Sequence, residues 1–177
     1  MRKFLAIFLV LALALTTMVG CGGGAEGENG GGNVSEEDVT TIGFLYIGPV
    51  TDGGYNQAQH QGTKAVEEHF GGKVKILYAE NVSEEKQAVK TNAINMIDNG
   101  ADIIIATSFG HMDGMEELAE EYPDKYFLHF SGYKMNDTNF GNYFGAMEEA
   151  RYLSGIVAGM MTETNKLGYV AAYPYTE

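Results

Sequence analysis

Residues Thr41–Gly62, TIGFLYIGPVTDGGYNQAQHQG, decide how the rest of the chain is read. An apolar run (Ile42, Phe44, Leu45, Tyr46, Ile47) stops at Gly48-Pro49, and the polar loop Thr51-Asp52-Gly53-Gly54 opens into a segment with helical spacing. That is a strand, a tight loop and a helix start. In an open α/β sheet, loops at the carboxyl ends of strands are where ligands bind.

The same rhythm continues downstream. Short apolar runs at Val74–Tyr78, Ile103–Ala106 and Tyr126–Phe130 read as further strands, and longer segments of mixed polarity lie between them. Tyr55, Ala58, Gly62, Ala65, Val66 and Phe70 recur at helical spacing, and Gly71-Gly72 stops the pattern. A second helix is predicted from Ser83, with Glu84 and Glu85 in its first turn and Ala88 or Val89, Ala93, Met96 and Ile97 facing inward. A third starts near Asp113, with Glu116 completing a capping box, and ends at Pro123. A fourth runs from about Met147 to Thr164, with Ala150, Leu153, Val157, Met160 and Met161 as its stripe. Leu167–Tyr173 reads as one more strand. Strands that are apolar almost throughout, such as Ile103–Ala106, belong to parallel sheets buried on both faces. The fold class expected is α/β: a doubly wound, mostly parallel sheet with helices on both faces.

The amino terminus is of another kind. Arg2 and Lys3 precede the apolar run Phe4–Leu15, and Gly20-Cys21 follows small and apolar residues, as in a secretory signal with its cleavage site. Phe4–Val19 is short of the roughly 20 residues needed to cross a bilayer. Cys21 is the sole cysteine, so it has no internal disulfide partner. Met18-Val19-Gly20-Cys21 resembles a bacterial lipobox, in which the cysteine is acylated. The alternatives are a free cysteine near a plain secretory cut, or an uncleaved anchor. Residues 22–33, GGGAEGENGGGN, hold nothing larger than Ala that is apolar and cannot build a core. As a Gly-rich coil they reach about 20 Å, which suits a tether. The organisation expected is 1–20 lipoprotein signal peptide, 21–38 tether, 39–165 an α/β lobe and 166–177 the start of a second one.

Charge narrows the function classes. Removing residues 1–20 takes two of the 11 basic residues and none of the 24 acidic ones, leaving a net charge of −15. Nucleic-acid binding and electrostatic adhesion to anionic lipid are both disfavoured. The four histidines (His60, His69, His111, His129) have no zinc-ligand spacing, and the chain has no GxSxG elbow, no P-loop and no GxGxxG after the first strand. No catalytic residue, cofactor or metal is expected.

Four loops converge on one sheet edge: Gly48–Asn56, Ala79–Ser83, Thr107–Asp113 and Phe130–Lys134. They bring Asp52, Tyr55, Asn56, Ser108, Phe109, Asp113 and Tyr133 together. Rings beside small polar groups suit a flat heteroaromatic ligand, which stacks on the rings and hydrogen-bonds at its edges. Asp52 reads equally as a cap of the first helix. Tyr55 shares a stripe with Ala58 and also fits the core. Asp113 fits a cap better than a ligand group, and Tyr133 also fits a surface turn. Asp52, Glu80 and Asp113 against Lys134 make an acidic mouth that repels anions such as nucleotides.

Gly43–Gly62, Ala106–Asp113 (ATSFGHMD), Ser131–Lys134 (SGYK) and Ala150–Ala172 (ARYLSGIVAGMMTETNKLGYVAA) resemble, in order, the basic membrane protein family. These are substrate-binding lipoproteins of ABC transporters related to purine nucleoside receptors. The resemblance spans Thr41–Glu177. It implies the type I periplasmic-binding fold, two α/β lobes hinged around a ligand, with this chain holding the first lobe and the start of the second. It implies a purine nucleoside or nucleobase ligand, an ABC permease as partner, and a lipid anchor on the extracytoplasmic face of the membrane. Tyr55, where close relatives often have Trp, and Phe109 are then the ring-stacking residues, with Asp52, Asn56, Ser108 and Tyr133 around them. The other readings are a surface lipoprotein for adhesion or sensing, and a receptor for another small solute such as a sugar.

Acylation at Cys21 is tested by labelling cells with a fatty-acid analogue. The protein should carry the label and sediment with membranes, and Cys21→Ala should abolish both. Label retained by Cys21→Ala would exclude the lipoprotein reading.

Overall fold

The computed structural model describes residues 39–171 and 173–174. The expected signal peptide and tether, with Cys21, lie outside the described residues. The chain runs β1 (Thr40–Leu45), α1 (Tyr55–Phe70), β2 (Val74–Ala79), α2 (Lys86–Asp98), β3 (Ile103–Ala106), α3 (Met112–Glu121), β4 (Tyr126–Phe130), β5 (Phe140–Tyr143) and α4 (Met147–Met161). All strand pairs are parallel and the sheet order is β2-β1-β3-β4-β5. The order reverses at β1, the topological switch point of a doubly wound sheet.

One sheet face carries Leu45, Ile104, Ala106 and Phe127, sealed by Val89, Ala93 and Met96 of α2 and Met112, Met115, Leu118 and Ala119 of α3. Gly43 lets α2 close on β1, because a Cβ there would lie 2.6 Å from the Met96 sulfur. The other face carries Ile42, Phe44 and Tyr46, with Val66 of α1 against them. Farther along that face Tyr126 and Leu128 stay exposed.

Several boundaries differ from the sequence reading. Helix α1 buries Asn56 and Thr63, whereas Ala58, Gly62, Ala65 and Phe70 face outward. The apolar stripe does not orient the helix; polar bonds do. The Tyr46 hydroxyl pairs with the Thr63 hydroxyl at 2.6 Å, and Asn56 locks the helix start to Gly48. Helix α2 begins at Lys86 instead of Ser83, because Val82–Glu84 bond to neighbouring loops. Helix α3 has no capping box: Asp113 and Glu116 both bind Lys134, at 2.8 and 2.6 Å. β5 went unread because FGNY lacks an apolar run. No residue of α4 is buried, and residues 167–171 form no strand.

β5 is held in place by Asn139, just before it. The buried Asn139 side-chain amide donates to the carbonyls of Ala119 (3.0 Å), Tyr122 (3.2 Å) and Lys125 (2.9 Å), closing the end of α3 and the turn into β4. Asn139→Ala leaves these carbonyls without that donor. It should lower unfolding free energy by about 1–3 kcal/mol in urea titration, and an unchanged midpoint would refute this role.

Two histidines are fully buried, His111 just before α3 and His129 within β4. His111 Nε2 donates to Val82 O at 3.0 Å, and His129 Nε2 donates to Lys134 O at 3.0 Å with its ring stacked on Phe140. The Nδ1 atom of each is buried without a hydrogen-bond partner among the described residues. Burial lowers both pKa values from the ordinary histidine value, opposed by the bonded carbonyls. The unfolded chain therefore takes up protons near pH 6.5 that the folded chain refuses. The stability these groups contribute is complete above about pH 6.5 and is lost as pH falls through their folded values. The urea midpoint should drop between pH 7.5 and 5, and His111→Gln with His129→Gln should flatten that slope; an unaltered slope would count against it.

Candidate functional site

Loop β1–α1 is organised by one carboxylate. Asp52 Oδ1 accepts the backbone N–H of Gly54 (2.8 Å) and Gln57 (3.0 Å), and Oδ2 accepts the backbone and side-chain N–H of Asn56, both at 2.9 Å. These backbone N–H groups, that of Asn56 foremost, hold the Asp52 carboxyl well below the usual range. It thus satisfies the free N–H groups at the start of α1. Asn56, 6% exposed, turns its Oδ1 to the Gly48 N–H at 3.1 Å. Both residues shape the loop through these bonds.

The rings stand differently. Tyr55 is 44% exposed, its hydroxyl donating to Thr107 O and its ring set edge-on to Phe130 at 5.9 Å. That bond ties the β1 loop to the end of β3. Phe109 is half-buried and lies 6.3 Å from the ring of Tyr133, which is 68% exposed. Phe130 also meets Tyr143 (5.3 Å) and Phe144 (5.2 Å). Ser108 is buried and donates to Glu84 Oε1 at 2.6 Å. The structure therefore pairs Phe109 with Tyr133 and Tyr55 with Phe130 along one edge.

The sequence reading places Phe130 in one of the four edge loops without naming it as a candidate, and it misses Glu84, Tyr143 and Phe144 as parts of this edge. In the sequence Glu84 reads as part of a first helical turn, where an acidic residue is unremarkable. Tyr143 and Phe144 sit after the unread β5. Lys134, the single cation of the expected mouth, is held between Asp113 and Glu116, which push its pKa upward. Its charge is thereby neutralised locally. Among the described residues no group of three or more His, Cys, Asp or Glu could hold a metal ion, and no helix is long and apolar enough to cross a membrane.

Comparison with known proteins fits this geometry. A solute-binding protein of an ABC transporter system from Conexibacter woesei matches with a TM-score of 0.56 at 15% identity, over 68% of this chain and 40% of that one. A transcriptional activator from Bacillus halodurans matches with a TM-score of 0.59 at 24% identity, over 76% and 45%. These likenesses concern the fold. In sequence, a protein of Haloferax volcanii named for glucose binding by an ABC transporter is 37% identical over 149 residues, which is 83% of this chain and 37% of that protein. A purine-binding protein of Brucella abortus is 36% identical over 148 residues, 83% of this chain and 41% of that one. The chain thus spans about two-fifths of the length of these curated relatives. The model of the Bmp family, described as ABC transporter substrate-binding protein PnrA-like, matches residues 39–177. With four-fifths of its length inside that match, the chain belongs to the Bmp family of PnrA-like ABC transporter substrate-binding proteins.

Proposed function

We propose that the α/β lobe is one wall of a receptor that binds a purine nucleoside or related nucleobase compound outside the cytoplasm and hands it to an ABC permease. The observation that carries this reading is the row of rings, Tyr55, Phe130, Phe109 and Tyr133, at the carboxyl edge of a parallel sheet. A base stacked on such rings gains about 1–3 kcal/mol per base. The edge is acidic, with Asp52, Glu80, Glu84 and Asp113, and its cation Lys134 is already paired. A neutral nucleoside suits it better than a nucleotide. The Brucella relative, named for purine binding, supports the same ligand class. In this reading Asp52 and Asn56 act through the loop they shape, Ser108 through Phe109, and Cys21 anchors the protein to the membrane by a lipid. The role is binding, with no catalytic residue and no cofactor.

The Haloferax relative, named for glucose binding, supports a second reading in which the rings stack on a sugar face. Thermal-shift measurements with adenosine, guanosine, adenine, adenosine monophosphate and glucose separate the two. The 177-residue chain should show no shift, since a single lobe offers one side of the clamshell that hinge closure completes. A chain extended through the length of its relatives should melt higher with a nucleoside at 100-fold excess over Kd, a gain of about 2.7 kcal/mol. Adenosine monophosphate should be weak, and Tyr55→Ala or Phe109→Ala should cost roughly tenfold in affinity. A shift with glucose alone would overturn the nucleoside assignment, and tight nucleoside binding by the 177-residue chain would overturn the reading of this lobe as one wall of the site.

A further inference from the structure

Phe109 has a specific support. The residues on either side of it are held by a single atom: Glu84 Oε1 accepts the Ser108 hydroxyl at 2.6 Å and the Gly110 backbone N–H at 3.2 Å. Bonds to an ionised carboxylate are shorter and stronger than those between neutral groups. The approach is close enough that a Cβ on Gly110 would lie 2.3 Å from the Glu84 carboxyl carbon, so any larger residue there would displace the carboxylate. Phe109 opens a one-turn 3₁₀ segment, Phe109–His111, whose last residue is tied to the same loop through His111 Nε2 and Val82 O. The ring of Phe109 thus projects from a turn fixed at its start and end by residues 82–84. On the near side, Glu80 of this loop accepts the Val50 N–H at 2.8 Å and so serves the β1 loop.

We propose that Glu84 is the positioning residue of the site, fixing the Phe109 ring beside Tyr133 so that a flat ligand meets a stacking surface already set. This rests on the ring-stacking reading above. Pre-set groups bind more tightly because less ordering remains to be done on association. Glu84 reaches from the end of β2 past β1 to the end of β3, a span for which aspartate is one methylene short. Glutamine keeps an acceptor oxygen at the same reach.

The test needs no ligand, so its outcome is separate from that of the nucleoside experiment. The chain has no tryptophan, and Phe109→Trp introduces one emitter at the position in question. In that background, Glu84→Ala should raise the acrylamide quenching constant roughly twofold and lower the emission anisotropy, as expected when a loop loses its anchoring bonds. Glu84→Gln should restore both toward the parent, Ser108→Ala should fall between, and Glu80→Ala should leave both unchanged. Circular dichroism confirms that each variant is folded. If Glu84→Ala fails to fold, Ser108→Ala and Glu84→Gln carry the comparison. Parent-like values for Ser108→Ala, or an equal effect of Glu80→Ala, would overturn the assignment.

Discussion

The short loop Glu80–Glu85 ties the β1 loop to the β3 loop at the carboxyl edge of the sheet. It leaves β2 at the sheet margin and crosses the end of β1. Val82 donates its N–H to Tyr46 O at 2.9 Å and accepts His111 Nε2 on its carbonyl. Its side chain, 2% exposed, is sunk in the main core. Burying a valine side chain contributes about 1.5–3 kcal/mol. On one side Glu80 holds Val50 of the β1 loop; on the other Glu84 holds Ser108 and Gly110 of the β3 loop. A parallel sheet cannot join neighbouring strands by tight hairpins. Its edge loops come from distant parts of the chain, and side-chain bonds of this kind set their spacing.

This arrangement divides the polar residues of the edge into two kinds. Asp52, Asn56, Glu80, Glu84 and Ser108 make loop-to-loop or loop-to-helix bonds and present a fixed framework. Tyr55, Phe109, Phe130 and Tyr133 present ring surface. The division is physically sensible. Stacking demands correct placement of a flat surface, while the backbone groups of irregular loops need hydrogen-bond partners wherever water is excluded. Lys134, which by sequence was the cation of the mouth, is drawn sideways into a bridge from the β4–β5 loop to α3. The edge keeps the acidic character that the sequence suggests, with its one cation already paired.

The buried histidines extend the same logic into the core. His111 and His129 each direct Nε2 to a loop carbonyl, of Val82 and of Lys134, and each turns Nδ1 into surroundings that offer no partner among the described residues. They are neutral pins under the two loops that carry Phe109 and Tyr133. Spacing along the chain gave no metal pattern for them, and their role is visible only from the carbonyls they reach.

By itself the sequence determined the α/β class, the family and, among the described residues, four of the five strands and the existence of all four helices. Apolar runs and 3.6-residue spacing are local properties, so they can be read before the chain folds. Tyr55, Phe109 and Tyr133 could be singled out from the sequence as ring candidates, because they stand beside small polar residues at strand ends. The start of α2, the rotation of α1, the strand Phe140–Tyr143 and the part played by Glu84 were decided by tertiary structure. Each depends on a hydrogen bond between residues from 17 to 26 positions apart, such as Tyr46 with Thr63, Asn139 with Ala119 and Glu84 with Gly110. No local pattern records which polar side chain will find which backbone group. That is settled when the strands align and the loops are brought within reach of one another.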